Sequence, residues 1–246
     1  DIGLSPFQTG PDSVKVLIAE PLKGHTISVD KNIRDWIGAA PEEENAATIS
    51  SGEYIWKDAK GDDTGNGHYT YPTNKALTKG SDLREFRVTW DDDNLYLMIK
   101  CDRPGDFWTP YRIIGIDRDG ATGSKKGTQV LAQGDLDEMS PESGCYGNLK
   151  VSPELACEYV IGIFNSYKGR IWDANGKLIA RKTGDKDDTT GFKIDDANWN
   201  AVEVAIPWNL IGGNPSLPTG QTWRFVVGVG QQDNDIFRRV EKTQSE

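Results

Sequence analysis

"SDLREFRVTWDDDNLYLMIKCD", residues 81–102, decides the fold class. Phe86 and Val88 fall on one face of its first arm, and Leu95, Leu97 and Ile99 on one face of its second. Alternation with period 2 is what a half-buried strand requires, because successive side chains point to opposite sides. "DDDN" (91–94) between the arms is a run of turn formers without an apolar residue. The spacing therefore predicts an antiparallel hairpin.

The same pattern recurs on both sides of it. "VKVLIAE" (14–20), "HTISVD" (25–30), "GEYIWKD" (52–58), "YRIIGID" (111–117) and "CEYVIGIFN" (157–165) read as strands. So do "GRIWDANGKLIA" (169–180), with a turn at Asn175-Gly176, then "NAVEVAIP" (200–207) and "WRFVVGVG" (223–230). Helical periodicity is weak: "PEEENAA" (41–47) reads as one turn and "PWNLIGG" (207–213) as a short 3₁₀ turn. About ten or more short strands between Gly, Pro, Asp and Asn clusters predict an all-β antiparallel β-sandwich or barrel, jelly-roll or immunoglobulin-like, with long loops. Residues 1–13 read as an arm or linker, and 14–246 as a single sandwich domain. The stretch at about 118–156 has few strand signals and reads as a long excursion, a kind of loop that often carries function.

Composition narrows the function classes. The formal net charge is −10, which disfavours nucleic acid and anionic membrane surfaces, both of which ask for basic patches. No apolar run reaches the length of a membrane span. The three cysteines, Cys101, Cys145 and Cys157, have no C-x-x-C spacing. They fit either one disulfide, Cys145 to Cys157, with a spare thiol, or three small buried apolar residues. Catalytic patterns are missing: there is no G-x-S-x-G, no H-E-x-x-H and no phosphate-binding loop, and the only histidines are His25 and His68. Paired carboxylates carry little weight among 38 Asp and Glu residues. The reading expects no enzyme.

"GDDTGNGHYTYPTN" (61–74) is the best cation candidate. Asp62 and Asp63 stand side by side in a Gly-rich turn, Asp58 precedes them, and Asp82 opens the next strand pattern. Adjacent carboxylates repel unless water screens them or a hard cation such as calcium takes their oxygens. Both readings, a calcium site on Asp58, Asp62, Asp63 and Asp82 and a solvated acidic loop, are open on spacing. "DRDG" (117–120) and "GDKDD" (184–188) read as solvated loops. Eight tryptophans are many for this length. Most read as core, with Trp36 capping one end of the sandwich. Trp108, in "GDFWTPY" with Tyr111 beside it, and Trp172, in "GRIWDANG", sit near loops and are the candidates for stacking on a sugar ring.

Three stretches carry a resemblance. "ISVDKNIRDWIGAAP" (27–41) is similar to an opening of the form I-x-V-D-G-x-x-x-D-W, with Lys31 where that pattern has Gly. "WKDAKGDDTGNGHYTYPTN" (56–74) fits D-x-x-G-D-D-x-G-x-G-x-Y-x-Y-P-T, and "LTKGSDLREFRV" (77–88) follows with its G-x-x-D-L-x-x-F strand. Together they resemble the glucodextranase C-terminal domain family, among the DOMON-like and family 9 carbohydrate-binding-module-like β-sandwiches. The resemblance implies an extracellular or cell-surface, non-catalytic module with structural calcium at Asp62 and Asp63, helped by Asp58 and Asp82, and a carbohydrate or cell-surface polymer as partner. Two rivals of the same fold stand beside it. One is a surface-layer or filament subunit that assembles through residues 1–20. The other is a haem-carrying electron-transfer domain using residues such as Met98 or Met139.

Overall fold

A computed structural model describes residues 23–61, 82–102, 110–118, 156–164, 168–183, 189–197, 200–213 and 223–231. The predicted hairpin is present as β3 (Leu83–Trp90) and β4 (Asn94–Cys101), with Phe86 opposite Ile99 and Val88 opposite Leu97. Its turn is closed by Asp91, whose Oδ1 accepts the backbone N–H groups of Asp93 at 2.9 Å and Asn94 at 2.8 Å. This is the Asx device that makes Asp a turn former.

Around the hairpin, the described residues hold two antiparallel sheets. One has six strands, in the order β1 (Ala46–Ser50), β2 (Glu53–Lys57), β3, β4, β10 (Ala201–Pro207), β9 (Lys193–Ala197). The other has five: β11 (Arg224–Gln231), β5 (Pro110–Asp117), β6 (Tyr159–Phe164), β7 (Lys168–Asp173), β8 (Leu178–Thr183). The sheets are separate, so the fold is a sandwich and not a closed barrel. Alternate residues of both fill the space between them. Phe86, Leu97, Ile99, Val202 and Val204 face Ile114, Ile116, Ile161, Ile171 and Phe225, and the Phe86 and Phe225 rings stand 5.9 Å apart. At the far end of β10, the expected 3₁₀ turn forms at Trp208–Ile211, and Trp208 meets Trp223 edge-on at 5.7 Å.

Two strands escape the sequence reading. β1 replaces the expected helical turn at 41–47: residues 42–45 are bends, and the strand starts at Ala46. It is joined to β2 by Ser51 and Gly52, with φ of 52° and 82°, and Ser50 pairs with Glu53. Two consecutive positive φ values define the type I′ turn that a two-residue hairpin favours. β9, "KIDDA", is an edge strand that reads as Ile194 among charged residues, too little alternation to stand out.

The stretch 25–30 is the opposite case, an expected strand that is none. Its alternation is real, since Ile27 is buried while Thr26 and Ser28 are exposed. What it packs on is a sheet face and not a strand edge. Residues 25–38 form a strap over the outer face of the six-stranded sheet. Ile27, Val29, Ile33 and Trp36 meet Tyr96, Met98, Ala201 and Ala205 there. Trp36 therefore covers a face and does not cap an end. Met98 is part of this apolar packing.

Cys101 and Cys157 are buried free thiols, so the Cys145–Cys157 bridge is not formed. Burial pushes both thiols up, Cys157 to about 12, which leaves them unreactive. The predicted strand at 14–20, and Cys145, His68 and Met139, lie outside the described residues.

Candidate functional site

Antiparallel pairing collects the candidate acids at one end of the sandwich. β2 ends where β3 begins, with Lys57 opposite Glu85, and β3 begins where β4 ends, with Leu83 opposite Cys101. The flanking residues continue this ladder. Asp58 donates its backbone N–H to the Arg84 carbonyl at 3.0 Å, and Asp102 donates to the Asp82 carbonyl at 2.8 Å. Across the sandwich, Arg112 near the start of β5 hydrogen-bonds the Cys101 thiol at the end of β4. The connection from Asp102 to Pro110, which carries Trp108, therefore leaves and returns at the rim that holds Asp58 and Asp82.

Asp82 anchors this rim. It is 2% exposed, and its Oδ2 accepts the backbone N–H of Gly61 at 2.9 Å. Gly61 has φ of 79°, the left-handed region that glycine enters without a Cβ clash. Asp58 Oδ1 accepts the Trp56 indole N–H at 3.2 Å, and Ala59 donates to Asn45 Oδ1 at 3.1 Å. One guanidinium offsets the negative charge: Arg84 lies 3.6 Å from Asp82, 3.6 Å from Asp102 and 3.4 Å from Glu44. The chain thus delivers residue 61 onto the Asp82 carboxylate, one position ahead of Asp62.

Of the sequence-derived metal set, Asp58 and Asp82 share this rim, whereas Asp62 and Asp63 lie outside the described residues. Among the described residues, no group of three or more His, Cys, Asp and Glu side chains is arranged to hold a metal. Of the aromatic set, Trp108 lies outside the described residues. Tyr111 is placed by its backbone, paired with Phe164 and Gly230 at the same end as Asp102. Trp172 corrects the sequence reading. It is 1% exposed, and it pairs with Val160 and Leu178 toward the opposite end of the sheet. A ring that is covered on both faces cannot stack on a sugar, and nearness to the Asn175-Gly176 turn was a poor guide to exposure.

Sequence reasoning missed a buried polar cluster beneath the strap. Glu53 is fully buried. Its Oε1 accepts the backbone N–H groups of Ile37 at 2.7 Å and Gly38 at 3.0 Å, and its Oε2 takes Arg87 Nη1 at 2.7 Å. Arg87 also donates to the Gly38 carbonyl and to Glu85. His25 Nε2 sits 3.0 Å from the Asp35 carbonyl and 3.5 Å from Glu53. On the far side, Glu203 Oε1 accepts the Trp36 indole N–H at 3.0 Å. In sequence these acids occupy the polar phase of strand alternation, which reads as solvent-facing. Nothing local announces that residues 25–38 cover them. Of "DRDG", Asp117 is buried, and Arg118 stacks 4.9 Å above the Trp223 ring and donates to the Ile211 carbonyl at 2.6 Å, while residues 119–120 lie outside the described residues.

Two antiparallel sheets packed around a filled core define a β-sandwich module. Residues 54–246 match the family of the C-terminal binding module, SLH-like, of glucodextranase. That covers well over half of the 246 residues, and the chain belongs to this family. The match begins inside β2, so β1 and the strap precede it. No curated protein matches the chain.

Proposed function

We propose that this chain is an exported or cell-surface, calcium-stabilised module that binds carbohydrate, an α-glucan or a cell-surface polysaccharide. Membership of a binding-module family associated with glucodextranase is the observation that carries it. The rim geometry supports the finer assignment. Asp58, Gly61 and Asp82 converge at one end of the sandwich, Gly61 stands directly before Asp62 and Asp63 in the chain, and the Trp108 connection starts and finishes at that end. Calcium would be held by Asp62 and Asp63 with Asp58 and Asp82 as helpers. It would relieve the repulsion of the adjacent acids and stiffen the loops of the rim. Trp108 and Tyr111 would supply the stacking surface. Trp172 has no part in it. The SLH-like character of this family favours a cell-surface polymer over a soluble glucan.

Two measurements test the reading. Thermal unfolding in calcium and in chelator should separate clearly for the wild type, because a ligand that binds only the folded state raises its stability by mass action. The separation should vanish for Asp62→Ala/Asp63→Ala. Electrophoresis through gels containing α-glucan or cell-wall polysaccharide should retard the wild type, and Trp108→Ala should run free while unfolding at an unchanged temperature. Coincident melting curves would remove calcium. Unretarded migration of the wild type in every gel would remove the carbohydrate assignment, and equal retardation of both proteins would remove Trp108 from it.

A further inference from the structure

The strap over the six-stranded sheet is fastened at two carboxylates of very different environment. At the first, Glu53, the charge is matched: Arg87 contacts it, and two backbone N–H groups of the strap bond to it. At the second, Glu203, it is not. This side chain is fully buried, its Oε1 has the Trp36 indole, and its Oε2 makes no hydrogen bond. Among the described residues no Lys, Arg or His lies at ion-pair distance from Glu203.

We propose that residues 25–38 are a pH-sensitive strap, closed over the sheet while Glu203 is neutral and loosened when Glu203 ionises beneath it. Every neighbouring element contributes to the field at this carboxyl. The strap itself carries Asp30 and Asp35, both of which oppose a charge there, together with His25 and Lys31. β9 places Asp195 directly opposite Glu203, and Lys31 reaches that aspartate at 3.9 Å from a side chain 70% exposed. β4 offers Met98 as the paired residue and the Tyr96 phenol, which is engaged with Asp91. β3 and β2 bring Arg87, Glu85 and Glu53, which are bonded to one another and to the strap backbone. The balance favours the neutral acid. Burial pushes Glu203 up to about 7, Asp30 and Asp35 add to this, and the Trp36 indole and the Asp30 backbone N–H pull only partly the other way.

The sign follows from linkage. A carboxyl held higher in the closed state than in the open one favours closure at low pH, and that preference is lost as pH rises through about 7. If the open strap returns Glu203 to an ordinary carboxylate value, the opening equilibrium between pH 5.5 and 8.5 grows on the order of 30-fold. Opening would uncover Met98, Ala201 and Ala205, the apolar face on which Ile27 and Trp36 rest.

The test is nuclear magnetic resonance on the full chain across pH 5 to 9. The Trp36 indole N–H shift should titrate with a midpoint near that of Glu203. Protection factors of the Ile37 and Gly38 amides, corrected for intrinsic exchange, should fall on the order of 10- to 30-fold. Amides of the core strands, such as Leu97, should stay far better protected than Ile37 and Gly38 at every pH, which marks the opening as local. Glu203→Gln should abolish both pH effects. Trp36→Phe, which keeps the carboxyl but removes both a donor to its charged form and the indole reporter, should retain the fall in Ile37 and Gly38 protection with its midpoint displaced upward. A flat indole shift overturns the proposal. So does a titrating indole with unchanged Ile37 and Gly38 protection, as would an unaltered pH response in Glu203→Gln or an unmoved midpoint in Trp36→Phe.

Discussion

Lys31 shows how far one residue can be read. The opening pattern it belongs to has glycine there, and the structure gives Lys31 a φ of 72°. In that region an L side chain crowds the following carbonyl, at a cost of about 1 kcal/mol. The ion pair to Asp195, made by an exposed side chain, offsets little of this. Lys31→Gly should therefore stabilise the protein by about 0.5–1 kcal/mol in chemical denaturation, even though glycine also loosens the unfolded chain. A loss of stability would mean that the Lys31 side chain does more than its geometry shows. Glu203 is the other residue whose environment sets its behaviour. Its carboxyl is raised in the folded state, so the stability it allows is complete below the ordinary carboxylate range and declines as pH climbs through about 7. Glu203→Gln does not ionise. It should match the wild type near pH 4.5 and exceed it by about 1–3 kcal/mol at pH 8. Equal differences at both values would show that the carboxyl titrates alike in the folded and unfolded chain.

Among the elements, β1 depends on its turn. Ser51 and Gly52 both sit at positive φ, and a Cβ at Gly52 would come within 2.3 Å of the Lys23 carbonyl oxygen. That contact is with backbone, so relief requires the chain leading into the strap to shift. Gly52→Ala should cost about 2 kcal/mol or more, with lowered amide protection concentrated in β1 and around Lys23. Uniform loss across both sheets would argue against a local clash. The turn also explains why β1 was illegible while β3 and β4 were plain. "AATIS" is short, half-buried along its whole length and at a sheet edge, so it carries no alternation. β7 and β8 were readable for the opposite reason: Ile171 and Ala180 face the core, and Asp173 Oδ1 caps the Asn175-Gly176 turn by accepting from Asn175 and Lys177.

For the whole molecule, burial separates the rings that hold the fold from those that can meet a ligand. Trp172, although it sits two residues from a turn, is 1% exposed. Trp172→Ala should lower stability by about 3–5 kcal/mol and leave polysaccharide retention per folded molecule unchanged. Reduced retention in a variant that remains folded would return Trp172 to the binding surface. The rim is also a whole-molecule property. Asp58, Asp82 and Asp102 are far apart in sequence and meet because three strands end together, and Arg84 then serves Asp82, Asp102 and Glu44 at once.

The all-β class, the central hairpin, most of the strands and the family were determined by the sequence alone. Each is written in local signals: period-2 alternation, turn formers and the D-D-x-G-x-G-x-Y-x-Y-P stretch. Only the tertiary structure decided which polar residues are buried. Strand alternation says that Glu53, Arg87 and Glu203 leave the core, but not that they reach water. That depends on a strap that pairs with no strand and packs instead on a face, a non-local contact that leaves no period of its own in the chain.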